Sequence, residues 1–332
     1  MTRVCVDAMG GDEPPEIVLQ GIEKALVQDS DLELLVAGLP EVVEPFCESH
    51  ERAFALAATE VIDMADHPAE AVRTKRDSSI VKGCQAVRAG EAEGFFSAGS
   101  TGAILAAGTL HVGRSRGIKR PAIAVALPGI EGHSCILLDV GANADCRPEM
   151  IVQFAEMGRA YSQVLFGTYN PKIALLSNGT EETKGSSQVL EFHEALASSG
   201  LNFVGNCEGP DLLLNPDIDV AVCDGFTGNV ALKTLEGTAK YLLHEIKGLA
   251  HSSKRAGLGG ILLKPSLGGL KDKLSGDKYG GAMLLGLKAP VLVGHGATSV
   301  EAICNGCLAS ASMVRGGIVE KISVSSPRRS SE

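Results

Sequence analysis

The sequence is poor in aromatic residues and has no excess of positive charge. Its 332 residues include no Trp and four Tyr, and the net charge is −10. Proteins that bind single-stranded nucleic acid use aromatic side chains for stacking, and general nucleic-acid or anionic-membrane binders are usually basic. The composition therefore indicates no nucleic-acid partner, and only a local basic patch could contact an anionic surface.

A membrane span, a signal peptide and a disulfide framework are also missing. No uninterrupted apolar run is long enough to cross a bilayer, and the first residues pass directly into a strand pattern. The nine cysteines are scattered and odd in number, which favours a reducing compartment. We therefore expect a cytoplasmic protein that is soluble or peripherally attached to a membrane.

Several catalytic signatures are absent from the sequence. The eight histidines show no paired metal-ligand spacing, and we find neither a Ser-His-Asp set nor a carboxylate cluster for a divalent metal. Cys304 and Cys307 have redox spacing but fall within an apolar helical pattern, so we expect structural thiols. The glycine pattern matches neither a P-loop nor a dinucleotide fingerprint. We therefore expect no metal and no cofactor.

Strand patterns alternate with helical patterns of ten or more residues along the chain. This alternation predicts an α/β fold with a mostly parallel sheet covered by helices on both faces. Among its elements we expect strands at Glu60–Met64, Gly94–Ser97 and Val291–Val293, and a long helix at Asn229–Leu249. No polar linker divides the chain, so we expect one bilobed domain over residues 1–322 and a flexible tail over 323–332.

Glycine-rich turns follow several of the predicted strands. Such a turn exposes backbone N–H groups at the positive end of the next helix, which favours anion binding. Because carboxyl ends of parallel strands meet at one edge of a sheet, we expect the turns to converge on one crevice. The four principal turns are Asp7–Asp12, Ser97–Gly102, Ser177–Gly185 and Cys223–Asn229.

Candidate side chains lie in these turns and in a fifth one, Asp139–Asn143. Lys184 offers a compact positive charge for phosphate, although this motif alone favours a capped helix start with a solvent-exposed lysine. Thr227 could cap the following helix, and Asn229 in its first turn could donate to a developing oxyanion. The candidate substrate-binding residues are Asp7, Gly10, Gly11, Ser100, Thr101, Gly102, Asn143, Asn178, Thr180, Asp224 and Thr227.

Residues 249–275 form a basic and apolar segment in an otherwise acidic chain. Its leucines are interleaved with Lys and Arg, and only Asp272 is acidic. Such an arm could lie on an anionic membrane surface or pack against a sister subunit, and amphipathicity alone does not separate the two. The candidate membrane-contact residues are Leu258, Ile261, Leu262, Leu263 and Lys264.

The absence of an activated nucleophile limits the chemistry of acyl transfer. Transfer to water usually needs such a nucleophile, whereas phosphate already carries a free oxygen that can attack. A thioester is a good leaving group, so a site that binds phosphate beside it and donates to the oxyanion could suffice.

The motifs together resemble the phosphate acyltransferases of phospholipid synthesis, the PlsX family, over nearly the whole chain. Besides the five turns, the resemblance rests on Gln153–Gly158 and Tyr279–Ala282. It implies an isocitrate/isopropylmalate dehydrogenase-like α/β/α fold and a homodimer. The implied reaction moves a fatty acyl group from acyl-carrier protein to inorganic phosphate. The acyl phosphate product would then pass to a membrane acyltransferase that acylates glycerol 3-phosphate.

The resemblance also implies roles for individual residues. Lys184 and Asn229 match residues that are catalytically essential in the family, with Asp224 and Thr227 as neighbours. Ser100 stands where the family usually has Asn, which puts a direct role of that side chain in doubt. Alternatives are a short-chain phosphate acetyltransferase that uses coenzyme A, an NAD-dependent decarboxylating dehydrogenase, and a non-catalytic scaffold on the membrane.

Overall fold

The computed structural model describes residues 1–253, 255–260, 262–263, 279–294 and 299–325. Within this part of the chain, eleven strands form one sheet. The strands are β1 Thr2–Asp7, β2 Leu32–Gly38, β3 Ala53–Ala57, β4 Gly94–Ser97, β5 Ala122–Pro128, β6 Ser134–Leu138, β7 Ile173–Leu176, β8 Phe203–Cys207, β9 Val220–Val222, β10 Ala282–Leu285 and β11 Val291–Val293.

Helices connect most of these strands. Proline occupies the first turn of three helices, where its missing N–H costs nothing. The helices are α1 Glu16–Gln28, α2 Pro40–Glu48, α3 Pro68–Thr74, α4 Ser79–Ala89, α5 Thr101–Ala107, α6 Pro148–Leu165, α7 Ser187–Ala197, α8 Asp211–Leu214, α9 Gly225–His251, α10 Val300–Arg315 and α11 Ile318–Ser325. A π-helical turn, Gly108–Val112, continues α5, and a 3-10 turn, Ile130–Gly132, follows β5.

Helices cover both faces of the sheet, and each face has its own core. In β1, Val4 and Val6 belong to the core under α1, α6 and α10, whereas Cys5 belongs to the core under α4 and α5. This alternation follows from the two-residue period of a strand buried on both sides. The expected α/β class with a three-layer α/β/α arrangement is confirmed.

The sheet is mostly parallel, but its two halves run in opposite directions. The strand order is β3-β2-β1-β4-β11-β10-β5-β6-β9-β7-β8, and only the pairs β11–β10, β10–β5 and β5–β6 are antiparallel. Consequently, β1, β4 and β11 end at one edge of the sheet, while β6, β9 and β7 end at the other. The five glycine-rich turns therefore leave the sheet at two edges and not at one.

Some predicted elements differ from the observed ones. The strand expected at Glu60–Met64 is wrong, because Glu60 makes only an isolated bridge to Ser78. The strand in this region is β3, whose small alanines weaken the sequence signal. At the other end of the chain, α11 extends to Ser325, so the first three residues of the predicted tail are helical. Residues 326–332 lie outside the described residues.

Candidate active site

Three neighbouring parallel strands, β6, β9 and β7, place their following turns side by side. We call these turns, residues 139–143, 177–185 and 223–229, the second turn group, because they follow the second half of the sheet. The first turn group, after β1 and β4, is described below. The Gly225 backbone N–H donates to the Asn143 carbonyl oxygen at 2.7 Å, which joins two turns of the second group. The third turn leads into α7, where Gln188 Nε2 donates to the Cys146 carbonyl oxygen at 2.7 Å. These contacts hold the three turns close together.

A buried carboxylate organises the turn after β6. Asp139 Oδ1 accepts from the backbone N–H groups of Ile123, Gly141 and Ala142 at 3.0, 3.2 and 3.1 Å. Its Oδ2 accepts from the backbone and side-chain nitrogens of Asn143 at 2.7 and 2.9 Å. Burial raises the pKa of Asp139, and these donors lower it. Four of these five hydrogen bonds come from the turn itself and the fifth comes from Ile123 in β5. Asp139 therefore serves to shape the turn and to fix it to the sheet.

The side-chain amide of Asn143 is likewise hydrogen-bonded to the protein itself. Its side-chain amide donates to the Pro121 carbonyl oxygen at 2.8 Å as well as to Asp139. The hydrogen bonds of this amide thus go to the protein itself, and Asn143 does not line the cavity described below. The structure does not bring this predicted ligand contact into that cavity.

The turn after β9 is closed by Asp224. Its Oδ1 accepts from the Thr227 backbone N–H at 2.8 Å, and its Oδ2 accepts from the Thr227 hydroxyl at 2.7 Å. Asp224 is therefore the N-cap of α9, and the prediction that Thr227 caps the helix is wrong. Because α9 begins at Gly225 and not at Asn229, Asn229 lies in the second turn of the helix.

A cavity of about 780 Å³ lies between β5, α5 and α9. Asn229 and Gly141 belong to its wall, and a Cβ atom at Gly141 would lie 3.8 Å from Asn229 Cγ. The remaining wall is largely apolar, as is usual for small-molecule sites of this size. Its larger apolar residues are Met64, Leu105, Ile123, Val125, Leu127, Val140, Leu213, Leu232, Leu235, Leu242 and Val293.

The cavity also reaches the turns after β1 and β4. We call residues 7–12 and 97–102 the first turn group. Thr101 and Gly102 line the cavity together with Gly99 and Asp12, whereas the predicted residues Asp7, Gly10, Gly11 and Ser100 do not. The cavity thus extends from one edge of the sheet towards the other. Of the predicted site residues, Thr101, Gly102 and Asn229 line this one cavity.

Asp7 holds the first turn group together. Its Oδ2 accepts from the Ser97 hydroxyl at 2.7 Å, and Ser97 Oγ accepts from the Gly99 backbone N–H at 3.0 Å. Burial raises the pKa of Asp7 while the hydrogen bond from Ser97 lowers it. Gly10 lies so close to this chain of bonds that a Cβ atom would be 2.7 Å from the Gly99 nitrogen. The two turns can therefore meet only with glycine at position 10.

Lys184 lies in the second turn group but outside the cavity wall. Its side chain is exposed, its backbone N–H donates to Glu181 O at 3.0 Å, and its stem lies over Gly179, where a Cβ atom would be 2.7 Å from Lys184 Cγ. Asn178 and Thr180 are exposed in the same turn. The topology places Lys184 at the same edge of the sheet as Asn229, with its ammonium group in solvent.

The apolar wall was missed at the sequence level, although a signal exists for it. Leu232, Leu235, Ala239 and Leu242 recur at helical spacing in α9 and line one side of the cavity. The opposite side comes from β5, whose residues at odd positions from Ile123 point into it. The sequence-based prediction for this segment is a long helix after a polar turn and includes no wall of a binding site.

The arm predicted at residues 249–275 is described only in part. Leu258, Leu262 and Leu263 have exposed fractions of 64%, 75% and 56%, whereas Ile261 and Lys264 lie outside the described residues. Gly260 is near the end of α9, since a Cβ atom there would be 2.8 Å from Ala250 Cβ. Among the described helices, none combines the length and apolar character needed to traverse a bilayer.

Metal and thiol chemistry find no support in the described part of the chain. It contains no cluster of three or more His, Cys, Asp or Glu residues that could hold a metal ion. Cys304 and Cys307 are buried in α10, and burial raises the pKa of both thiols. Both thiols therefore stay protonated and unreactive at neutral pH.

The fold resembles that of known acyl-transferring enzymes. A crystal structure of a phosphotransacetylase from Streptococcus pyogenes matches with a TM-score of 0.59 at 18% identity, covering 95% of this chain and 94% of that one. This likeness supports the isocitrate/isopropylmalate dehydrogenase-like α/β/α arrangement expected from the sequence. It defines the class of fold, an α/β/α protein with a phosphotransacetylase-like arrangement, in which a polar group stands at the end of an apolar cavity.

Sequence comparison identifies the family within this class. The family model described as "Fatty acid synthesis protein" matches residues 2–321, and the chain belongs to this family. It is 45% identical over 325 residues to a phosphate acyltransferase of Limosilactobacillus reuteri (strain DSM 20016), covering 96% of this chain and 94% of the relative. It is 46% identical over 301 residues to a phosphate acyltransferase of Bacillus pumilus (strain SAFR-032), covering 91% and 90%.

Proposed function

We propose that the protein transfers a long-chain acyl group from acyl-carrier protein to inorganic phosphate. A phosphate oxygen attacks the thioester carbonyl carbon, the C–S bond breaks, and the carrier thiolate leaves and takes up a proton. The product is an acyl phosphate. The relatives named as phosphate acyltransferases support the acceptor, and the family description supports a fatty acyl group.

The observation that carries the long-chain assignment is the shape of the cavity. Its wall along β5 is apolar from Ile123 to Pro128, about 20 Å for six residues, and leucines of α9 face it. An acyl chain laid along β5 would be removed from water at about 0.8 kcal/mol per methylene. A short acetyl group would leave most of this surface unused, which argues against an acetyltransferase.

Asn229 and Lys184 have distinct roles in the proposal. Asn229 projects from the second turn of α9 into the cavity wall, where its amide donates to the oxyanion that forms on the thioester carbonyl. Lys184 swings from solvent over the second turn group to bind phosphate as a point charge. The backbone N–H groups at the start of α5, beside Thr101 and Gly102, offer a further anion contact at the cavity.

The remaining functional assignments also belong to this proposal. The protein acts in the cytoplasm as a homodimer, with residues 249–275 lying on the membrane surface. There it hands the acyl phosphate to a membrane acyltransferase that acylates glycerol 3-phosphate. Support for the surface contact comes from Leu258, Leu262 and Leu263, which are exposed in the segment that follows α9.

A turnover assay tests the function directly. Purified protein is given inorganic phosphate and either hexadecanoyl-acyl-carrier protein or acetyl-coenzyme A, and acyl phosphate and free carrier thiol are quantified. We expect equal amounts of the two products from the hexadecanoyl substrate and far slower turnover of acetyl-coenzyme A. Preference for acetyl-coenzyme A would favour the acetyltransferase, and no turnover of either thioester would favour a scaffold.

A further inference from the structure

A second concave surface lies away from the active-site cavity, between α3, α4 and the π-helical turn. It encloses about 380 Å³ and brings three guanidinium groups together, in a chain whose net charge is −10. We call it the arginine groove. Its residues are Val72, Arg73, Arg76, Gln85, Arg88, Leu110 and His111.

Three acidic side chains close in sequence to Arg73 and Arg76 are paired with lysines and not with the arginines. Lys75 contacts Asp66 at 2.5 Å and Asp63 at 3.7 Å. Lys82 contacts Asp77 at 3.1 Å. The positive charge of the groove is therefore left for something other than these carboxylates.

The three arginines form no ion pair with an acidic side chain in the residues that the structure describes. Arg76 Nε donates to the Arg73 carbonyl oxygen at 3.1 Å, at the end of α3. Arg73, Arg76 and Arg88 are all exposed. Arginine presents a planar set of donors that suits carboxylates and phosphates on a partner.

The groove also contains an exposed apolar side chain, Leu110, and a buried polar atom without a hydrogen-bond partner among the described residues, His111 Nε2. Leu110 has an exposed fraction of 56%. Burial and the nearby Arg88 lower the pKa of His111, so its ring is neutral at neutral pH. The groove thus combines exposed positive charge with an exposed apolar side chain, as protein interfaces do.

Helix α3 connects the groove to the active-site cavity. Pro68 at its start lies against Gly102, where a Cβ atom would be 2.7 Å from Pro68 Cγ, and Gly102 lines the cavity. Arg73 and Arg76 lie at and just beyond its other end. A helix of seven residues is about 10 Å long, so the groove lies about one short helix from the cavity.

We propose that the arginine groove is the docking surface for the acidic acyl-carrier protein, an inference that rests on the proposed function. Acidic residues of the carrier bind Arg73, Arg76 and Arg88, and an apolar side chain of the carrier packs on Leu110. Complementary charge steers the carrier to this face. Its flexible thioester arm then follows α3 past Gly102 into the cavity.

Charge reversal in the groove tests the proposal. The triple variant Arg73→Glu, Arg76→Glu, Arg88→Glu is compared with a control of equal charge change, Arg114→Glu, Arg116→Glu, Arg120→Glu. Titration with hexadecanoyl-acyl-carrier protein gives Kd, and turnover at saturating carrier gives kcat. We expect Kd to rise at least about tenfold for the groove variant only, with kcat and Tm unchanged. Raised salt should weaken wild-type binding and leave the groove variant nearly unaffected.

Each outcome decides the matter. If the wild type turns over the carrier thioester and the groove variant binds it with unchanged Kd, the docking surface is elsewhere while the proposed function stands. A rise of Kd in the Arg114–Arg120 variant alone would move the surface to that segment. If the wild type neither binds nor uses the carrier thioester, the proposed function fails and the docking proposal fails with it.

Discussion

The two turn groups use buried carboxylates alike but present different chemistry to the cavity. Asp7 shapes the first group and Asp139 shapes the second, each through short hydrogen bonds to its own turn. What reaches the cavity from the first group is mainly backbone and small residues such as Gly99 and Gly102. From the second group it is the amide of Asn229. Asp7 and Asp139 are thus scaffolds, and the amide to which we assign the oxyanion belongs to the second group.

The strongest test of the scaffold in the second group is Gly228→Ala. A Cβ atom at Gly228 would lie 1.9 Å from the Asp139 carbonyl oxygen, so α9 would have to move away from the turn after β6. We expect a loss of at least about 3 kcal/mol in the free energy of unfolding or failure to fold. Chemical denaturation measures the effect.

Gly237→Ala in the same helix is the matched control. A Cβ atom there meets nothing within 4 Å, so alanine should stabilise the helix by about 0.5–1 kcal/mol. Similar stability of the two variants would contradict the close approach of α9 and the turn.

The next largest effect is expected on catalysis. Asn229→Ala and Lys184→Ala should each lower kcat by about 100- to 1,000-fold, because each removes a group that binds developing or transferred negative charge. Both side chains are exposed, so Tm should change little. Lys240→Ala, an exposed lysine of α9 outside the cavity wall, is the control and should keep wild-type turnover. Near-wild-type kcat for either of the first two variants would refute its assigned role.

Asn143→Ala sharpens the contrast between two asparagines of the second turn group. The substitution removes the hydrogen bonds from the Asn143 side chain to Pro121 and to the buried Asp139. It should lower the free energy of unfolding by about 1–3 kcal/mol. The folded fraction should keep its kcat. Asn178→Ala, in an exposed position of the same group, should change stability by less than about 0.5 kcal/mol. A large fall of kcat for folded Asn143→Ala would give this residue a catalytic role.

The smallest effect concerns a carboxyl group outside both turn groups. Burial raises the pKa of Glu156 in α6 to about 7 from its ordinary 4.5, against a lowering by Arg159. The unfolded chain therefore loses this proton at lower pH than the folded chain, and stability falls as pH rises from about 4.5 to 7. Glu156→Gln should stabilise the protein by about 1 kcal/mol at pH 8 and scarcely at pH 4.5. Equal Tm changes at both pH values would contradict the raised pKa.

The sequence predicted the strand ends well but not their directions. Gly94–Ser97 and Val291–Val293 have the predicted bounds, because each is a short apolar run between turn residues. The direction of the second half of the sheet depends on the antiparallel pairings of β10, β5 and β6. Of these pairings, β10–β5 joins distant parts of the chain, and β10 was not predicted at all. No local pattern could therefore show that the turns leave opposite edges.

The candidate site was predictable as a set of turns but not residue by residue. Asn143 and Asn229 both follow strand ends in small-residue turns, yet the first is held by Asp139 and the second is free to line the cavity. That difference arises from tertiary packing around a buried carboxylate. The resemblance to a family distinguished Asn229 and Lys184, which local chemistry alone did not.

The most direct test of the central claim is a crystal structure with hexadecanoyl phosphate bound. The account predicts the acyl chain along β5 beneath α9 and the acyl carbonyl oxygen within hydrogen-bond distance of the Asn229 amide. The phosphate should contact Lys184 or the start of α5. A chain bound outside this cavity, or a carbonyl group remote from Asn229, would contradict the account.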